Sequence, residues 1–211
     1  MSADGLTIAV PRGNLFGETL DVLDRLGIDT SEVRANDRKL LFEEAGIVTM
    51  RPSDVPTYVE HGAADLGIVG KDVLTEQSDR DVYELVDLGY GRCRMVVAVR
   101  EGDDSLAESQ RRLGSARIAT KYPRTAADYF AGTGRHAEIV EVKGSVELAP
   151  LTGMVDAIVD LSATGTTLRE NRLVELEELF VSTARLIANP VAHKLKATAI
   201  DDLVARVRDT S

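Results

Sequence analysis

The chain contains no tryptophan, and its five tyrosines and four phenylalanines make up only 4% of 211 residues. Stacking platforms for nucleic acid are therefore scarce. Positive charge is short as well: 25 Lys and Arg stand against 35 Asp and Glu, for a net charge of −10 and a pI near 4.8. With no basic block anywhere, nucleic acid and anionic membranes are excluded as expected partners. A phosphorylated ligand would need a locally basic pocket. The single cysteine, Cys93, rules out an intrachain disulfide and fits a reducing compartment. Its neighbours Met95-Val96-Val97-Ala98-Val99 mark it as a small buried hydrophobe. His61, His136 and His193 share no metal-ligand spacing, so no metal-binding residue is expected, and no Ser/His/Asp or Cys/His constellation is present. No apolar run approaches membrane-spanning length, and the opening MSADGLTIAV lacks the basic start of a signal peptide. A cytoplasmic protein is expected.

What is present is alternation. Hydrophobic residues make up 44% of the chain, enough for real cores. Apolar runs predict strands at Leu6–Val10, Ile47–Met50, Leu66–Val69, Cys93–Val99, Arg117–Thr120, Ile139–Val142, Ala157–Leu161 and Phe180–Ile187. Helical patterns fall between them, at Phe16–Leu26, Val55–His61, Thr125–Ala131 and Val146–Leu151, and a terminal helix at Ala192–Arg208. This order predicts an α/β fold with a mainly parallel sheet. The strongest composition shift, the polar stretch Glu101–Gly114, is where the chain is expected to change domain. The terminal helix is too little for a third domain and should return to the first.

The most informative stretch is Asp156–Thr167, DAIVDLSATGTT. An apolar run ends in Asp160; a loop of small and hydroxyl residues follows, Ser162, Ala163, Thr164, Gly165, Thr166 and Thr167; then a helical pattern begins at Leu168. Unpaired N–H groups at a helix start, with threonine hydroxyls beside them, make a phosphate cradle. The acid before the loop suits a sugar diol or a metal. The same letters also read as an ordinary helix cap. The loop lacks the Gly-Lys-Ser/Thr ending of a P-loop. Its acid–loop order instead resembles the phosphoribosyl diphosphate (PRPP) signature of phosphoribosyltransferases.

Three other strand ends each offer a cation beside a glycine or proline turn: Arg12-Gly13 with Leu15 after the first strand, Arg51-Pro52, and Gly70-Lys71. Ligands of open α/β sheets bind at such carboxyl ends, and an arginine there can grip phosphate bidentately or simply sit on the surface. Arg38-Lys39 is a basic pair that reads equally as a solvated face. Glu147 opens a helical pattern, where it either complements the helix dipole or supplies a second acid near the phosphate loop.

Taken in order, AVPRGNL, RPSDVPTYVEHGAADLGIVGKDVL, RIATKYP, KGSVELAP, DAIVDLSATGTTLRENRL and STARLIANP resemble the ATP phosphoribosyltransferase family of histidine biosynthesis, through nearly the whole chain. The resemblance implies two lobes like type II periplasmic binding proteins, with the active site in the inter-lobe cleft. Residues 1–92 with 183–211 would form the ATP-side lobe, and residues 93–182 the PRPP-binding lobe. The length resembles the short form of the family. That form needs a separate histidyl-tRNA-synthetase-like regulatory subunit in a hetero-octamer, with the catalytic chain itself a homodimer. The implied substrates are ATP and PRPP, with Mg²⁺ held mainly by pyrophosphate. Ser162–Thr167 would take the 5-phosphate, and Asp160 and Glu147 the ribose. Arg12, Gly13, Leu15, Arg38, Arg51 and Lys71 would face ATP, and Arg12, Arg38 and Asp160 would act in catalysis. One departure is Asn14, where the family usually has arginine; Arg38 or Arg51 would supply the missing cation. The competing reading is a small-anion or solute-binding module of the same fold without catalysis.

Overall fold

A computed structural model describes residues 5–210. The chain divides into two units, the first running to Gly91 and resuming at Thr183, the second spanning Arg92–Ser182.

The first unit is a six-stranded sheet. Its strands are β1 (Ile8–Pro11), β2 (Leu41–Phe42), β3 (Ile47–Met50), β4 (Leu66–Gly70), β5 (Tyr83–Asp87) and β11 (Ala184–Ala188), in the order β2-β3-β1-β4-β11-β5. Helices α1 (Phe16–Arg25), α2 (Ser31–Ala35), α3 (Val55–Glu60), α4 (Lys71–Glu76), α9 (Pro190–Leu195) and α10 (Ala197–Thr210) complete it. The central strands are apolar on both faces, so each face has its own core. Ile8, Val10, Leu66 and Ile68 meet Leu20 and Leu23 of α1 and Ile200 and Leu203 of α10 on one side. Ala9, Val69 and Ile187 meet Val55 and Val59 of α3 on the other. Buried Asn189 sets the start of α9: its side chain accepts the N–H groups of Val191 and Ala192 and donates to the carbonyls of Val59 and Glu60.

The second unit is a five-stranded sheet ordered β10-β6-β9-β7-β8. Its strands are β6 (Cys93–Arg100), β7 (Ser115–Thr120), β8 (His136–Glu141), β9 (Ala157–Ser162) and β10 (Leu173–Ser182), with helices α5 (Ser105–Leu113), α6 (Pro123–Gly132), α7 (Leu148–Leu151) and α8 (Thr166–Glu170). Strand β6 is again buried on both faces, with Met95, Val97 and Val99 on one and Val96 and Ala98 on the other.

The α/β class holds, but the sheets are mixed and not mainly parallel. The parallel pairs (β3–β1, β1–β4, β9–β7, β7–β8) are joined by connections that carry helices. Pairs that involve β2, β5, β6, β10 or β11 are antiparallel. The predicted strand Phe180–Ile187 is two strands in two sheets, parted at Thr183, where the chain passes between units. The predicted terminal helix is likewise two helices, broken at Lys196 (φ −119°, ψ 29°). The polar stretch Glu101–Gly114 does not carry the crossover. It forms α5 within the second unit and shows only Leu106 to the core. No helix among the described residues is long and apolar enough to cross a membrane.

Candidate active site

In the second unit, β9, β7 and β8 run parallel with Thr120 opposite both Val159 and Glu141. Their carboxyl ends therefore lie side by side, and the segments that follow leave the same sheet edge, residues 121–122, 142–147 and 163–165, with Asp160 near the end of β9 itself. Asp160 is half-buried, and its carboxylate accepts the N–H of Leu161 at 2.8 Å. Burial pushes the Asp160 carboxyl above its ordinary value, and the Glu147 charge adds to this; the Leu161 N–H and the Lys121 charge oppose it. Asp160 thus feels the charges of both Glu147 and Lys121. Sequence reasoning missed Lys121, although it follows the end of β7 as Arg12 follows the end of β1.

The loop after β9 is held from behind. The buried Ser162 hydroxyl donates to Glu175 Oε1 at 2.6 Å, and Glu175 is paired with Arg94 at 2.7 Å. Gly165 has φ +70°, which favours glycine, and a Cβ there would come within 2.8 Å of Arg169 Nη1. Arg169 spans the turn, donating to the Thr164 carbonyl at 3.0 Å and to Thr166 Oγ1 at 3.1 Å. The Thr164 and Thr166 hydroxyls meet at 2.9 Å. Ala163, Thr164, Thr166 and Thr167 are exposed. The expectation of a helix-start cradle needs one adjustment. Helix α8 has only five residues, so the donors of the loop matter more than any helix dipole. Arg169 and Glu175 were not found from sequence, since their roles depend on bonds from α8 and β10 back to the loop.

In the first unit, β3, β1 and β4 present three parallel strand ends. Arg12 follows β1, and its backbone N–H donates to Met50 at the end of β3. The Arg12 guanidinium is committed to protein atoms: Nε to Thr49 Oγ1 at 3.0 Å, and Nη2 to the carbonyls of Lys39 at 2.9 Å and Asn36 at 3.4 Å. Gly13 turns the chain with φ +101°, and half-buried Leu15 packs on the core cluster. Lys71 Nζ donates to Glu84 at 2.6 Å. Arg38 and Arg51 are exposed, and neither side chain has a polar partner among the described residues. The four expected cations therefore divide into two held by the protein and two available to a ligand.

Among the described residues no group of three or more His, Cys, Asp or Glu can hold a metal ion. The carboxylates Asp160 and Glu147 fit an ion that keeps mostly water and substrate oxygens, not an all-protein cage.

A family model described as ATP phosphoribosyltransferase matches residues 51–209. A curated ATP phosphoribosyltransferase of Rubrobacter xylanophilus is 52% identical over 206 residues, covering 96% of this chain and 95% of that protein. One of a Geobacillus species is 46% identical over 208 residues, covering 97% and 98%. A chain of the ATP phosphoribosyl transferase (HisG:HisZ) complex from Thermotoga maritima superposes with a TM-score of 0.81 at 35% identity, covering 97% of each chain. The periplasmic aliphatic sulphonate binding protein SsuA of Escherichia coli gives 0.62 at 13% identity, over 97% of this chain and 71% of that one. That likeness is one of fold alone.

Proposed function

The chain belongs to the ATP phosphoribosyltransferase family, and on that premise we propose how its residues divide the work. It transfers the 5-phosphoribosyl group of PRPP to N1 of ATP, giving N1-(5-phosphoribosyl)-ATP and pyrophosphate, the first step of histidine biosynthesis. The first unit takes ATP and the second takes PRPP. The observation that carries this division is the composition of the strand ends. Exposed cations with no polar partner among the described residues stand at this edge of the first unit, Arg51 after β3 and Arg38 ahead of the antiparallel β2, while in the second unit Asp160 near the end of β9, Glu147 after β8 and a threonine loop stand there.

Adenine N1 attacks the anomeric carbon of PRPP as the carbon–oxygen bond to pyrophosphate breaks. The bonding pair leaves with the pyrophosphate oxygen. The N1 lone pair is free at neutral pH, so no strong general base is needed and the protein contributes position and electrostatics. The exposed Thr164, Thr166 and Thr167, with backbone N–H groups of the 162–167 loop, bind the 5-phosphate. Ser162 and Gly165 shape the loop from its buried side. Asp160 and Glu147 bind the ribose hydroxyls, and their charge favours the cation-like anomeric carbon. Arg38 and Arg51 bind ATP phosphates or the departing pyrophosphate; Gly13, Leu15 and Lys71 shape the same edge. Mg²⁺, when bound to the pyrophosphate oxygens, neutralises charge on the leaving group.

The chain works in the cytoplasm, as a homodimer joined by a histidyl-tRNA-synthetase-like regulatory subunit in a hetero-octamer, in keeping with the two-component Thermotoga complex. Pyrophosphate release by the purified chain from ATP plus PRPP tests the reading. Turnover that requires both substrates is expected. Binding of a small anion with no turnover, alone or with the regulatory subunit, would identify a solute-binding module instead.

A further inference from the structure

We propose that Arg12 is a positioning residue: it clamps the segment Asn36–Lys39 and thereby sets the place from which Arg38 meets the substrate. The inference rests on the role given to Arg38 above. The guanidinium is used in three directions at once. Its Nε is anchored on Thr49 of β3, whose side chain is buried. Its Nη2 donates to the carbonyls at both ends of the segment, Asn36 and Lys39. One face lies over the Phe16 ring, 5.2 Å from its centre. The ion pair with Asp37, at 3.9 Å and almost fully exposed on the acid side, adds little.

The segment closes around these bonds. Asn36 Oδ1 accepts the N–H groups of Arg38 and Lys39, at 3.2 and 3.0 Å. The Thr49 N–H donates to the Leu40 carbonyl at 2.7 Å, and Lys39 pairs with Glu32 and lies over Phe42. Within this fixed backbone, the Arg38 side chain is exposed and has no polar partner among the described residues. A long side chain on a loose loop would lose both backbone and rotamer freedom on binding; pinning the backbone beforehand removes part of that cost. A guanidinium suits the task because its planar fork serves several acceptors at fixed angles, which a lysine ammonium on a single stem cannot.

The test is a double-mutant cycle on kcat/KM for ATP in the pyrophosphate-release assay. Arg12→Ala is expected to lower kcat/KM by about 10- to 100-fold, the scale of a misplaced contact. In an Arg38→Ala background the same change should cost almost nothing. Arg12→Lys should behave nearly as Arg12→Ala does. Thr49→Val leaves the charge in place and carries the test if Arg12→Ala does not fold; it should give a smaller loss that also vanishes without Arg38. Hydrogen exchange at the Lys39 and Thr49 amides should quicken in the Arg12 variants. Losses that multiply would mean that Arg12 meets the substrate directly and would overturn the inference while leaving the Arg38 reading intact. Unchanged exchange and activity in Arg12→Ala would overturn it too. Wild-type kcat/KM in Arg38→Ala would remove the premise itself, a different result from either.

Discussion

The two units use the same device, three parallel strands whose carboxyl ends open on loops, and fill it with opposite chemistry. After β1, β3 and β4 come Arg12, Arg51 and Lys71; after β7 and β8 come Lys121 and Glu147, and Asp160 stands near the end of β9, ahead of a threonine turn. In the first unit Arg12 is held by a hydroxyl and two carbonyls and Lys71 by a carboxylate, while Arg38 and Arg51 have no polar partner among the described residues. In the second, Arg94 and Arg135 are locked to Glu175 and Glu177, and the turn after β9 exposes threonine hydroxyls. The βαβ frame therefore fixes where a ligand can sit, and the loop residues decide which ligand. It also suggests unequal costs: a desolvated carboxylate is expensive to keep, while an exposed arginine is not.

Asp160→Asn gives the sharpest contrast. It preserves shape and the acceptor for Leu161 while removing the charge. A loss in kcat of about 10²-fold is expected, the scale of one preorganised electrostatic contact. Stability should move the other way. Burial raises the Asp160 pKa, so the folded state holds this proton more tightly than the unfolded chain does. Wild-type stability then falls as pH rises through the window between the ordinary and the raised value, and the cost is fully present above it. Thermal melts should show Asp160→Asn more stable than wild type at neutral pH, with the gain fading below the ordinary carboxyl range. Arg38→Ala, by comparison, should lower activity and leave the melting temperature unchanged. If Asp160→Asn keeps wild-type kcat, or if Arg38→Ala melts early, the proposed contrast fails.

Glu177→Gln asks whether the ion pairs of the second unit matter to its stability. Glu177 accepts both Arg135 guanidinium nitrogens at 2.7 Å and the Tyr129 hydroxyl at 2.5 Å. Arg135 also lies 4.7 Å over buried Phe130. A loss of about 1–3 kcal/mol is expected from weakening hydrogen bonds to a charged group. The Arg135 bonds hold the Glu177 carboxyl below its usual range. Its contribution is thus present above that range and lost as pH falls through the lowered value. The gap between variant and wild-type denaturation midpoints should close in acid; a gap constant with pH would point to packing instead.

How much of this was legible in the sequence depends on where charge sits. The buried strands β1, β3, β4, β6 and β9 announced themselves as apolar runs, and so did the Asp160–Thr167 loop between strand and helix. The edge strands β2 and β5 and most of β10 did not. In β10 the usual pattern is inverted: Val174 and Leu176 are exposed, whereas Glu175 and Glu177 are half-buried because Arg94 and Arg135 pair with them. No periodicity rule anticipates a face of carboxylates neutralised from neighbouring elements. The same limit applies to the sites. The sequence placed cations at strand ends, but which of them were free depended on carbonyls at Asn36 and Lys39 and on Glu84, all distant in the chain from Arg12 or adjacent only through the sheet.

Gly165→Ala sharpens the comparison at the loop itself. With φ +70°, any side chain costs about 1–2 kcal/mol in the left-handed region. The added Cβ would also press on Arg169 Nη1 and break its hold on Thr164 and Thr166. Both a lower melting temperature and weaker PRPP binding by calorimetry are expected. Reduced stability with unchanged PRPP affinity would separate the loop from the phosphate.

Arg172→Gly is the counterpart at the other end of α8 and has the smallest expected effect. Arg172 is the one non-glycine residue with positive φ, 55°, among those described. Its N–H closes the end of the helix on the Arg169 carbonyl, and its own carbonyl accepts the Glu101 N–H, so the backbone is held in this conformation from both sides. The side chain forms no polar contact among the described residues. Nothing but the turn therefore depends on the residue, and glycine meets that turn without steric cost. The cost relieved is about 1–2 kcal/mol, and the added freedom of the unfolded chain takes back part of it, about 0.4–1 kcal/mol. A gain below about 1 kcal/mol should remain, measured by urea denaturation at unchanged slope, with kcat and the KM for PRPP at wild-type values. Gly165 and Arg172 would then differ in kind despite nearly equal φ, the first serving the ligand loop and the second only the chain reversal. A fall in PRPP affinity in Arg172→Gly would overturn that distinction and bring the Arg172 charge into the phosphate site.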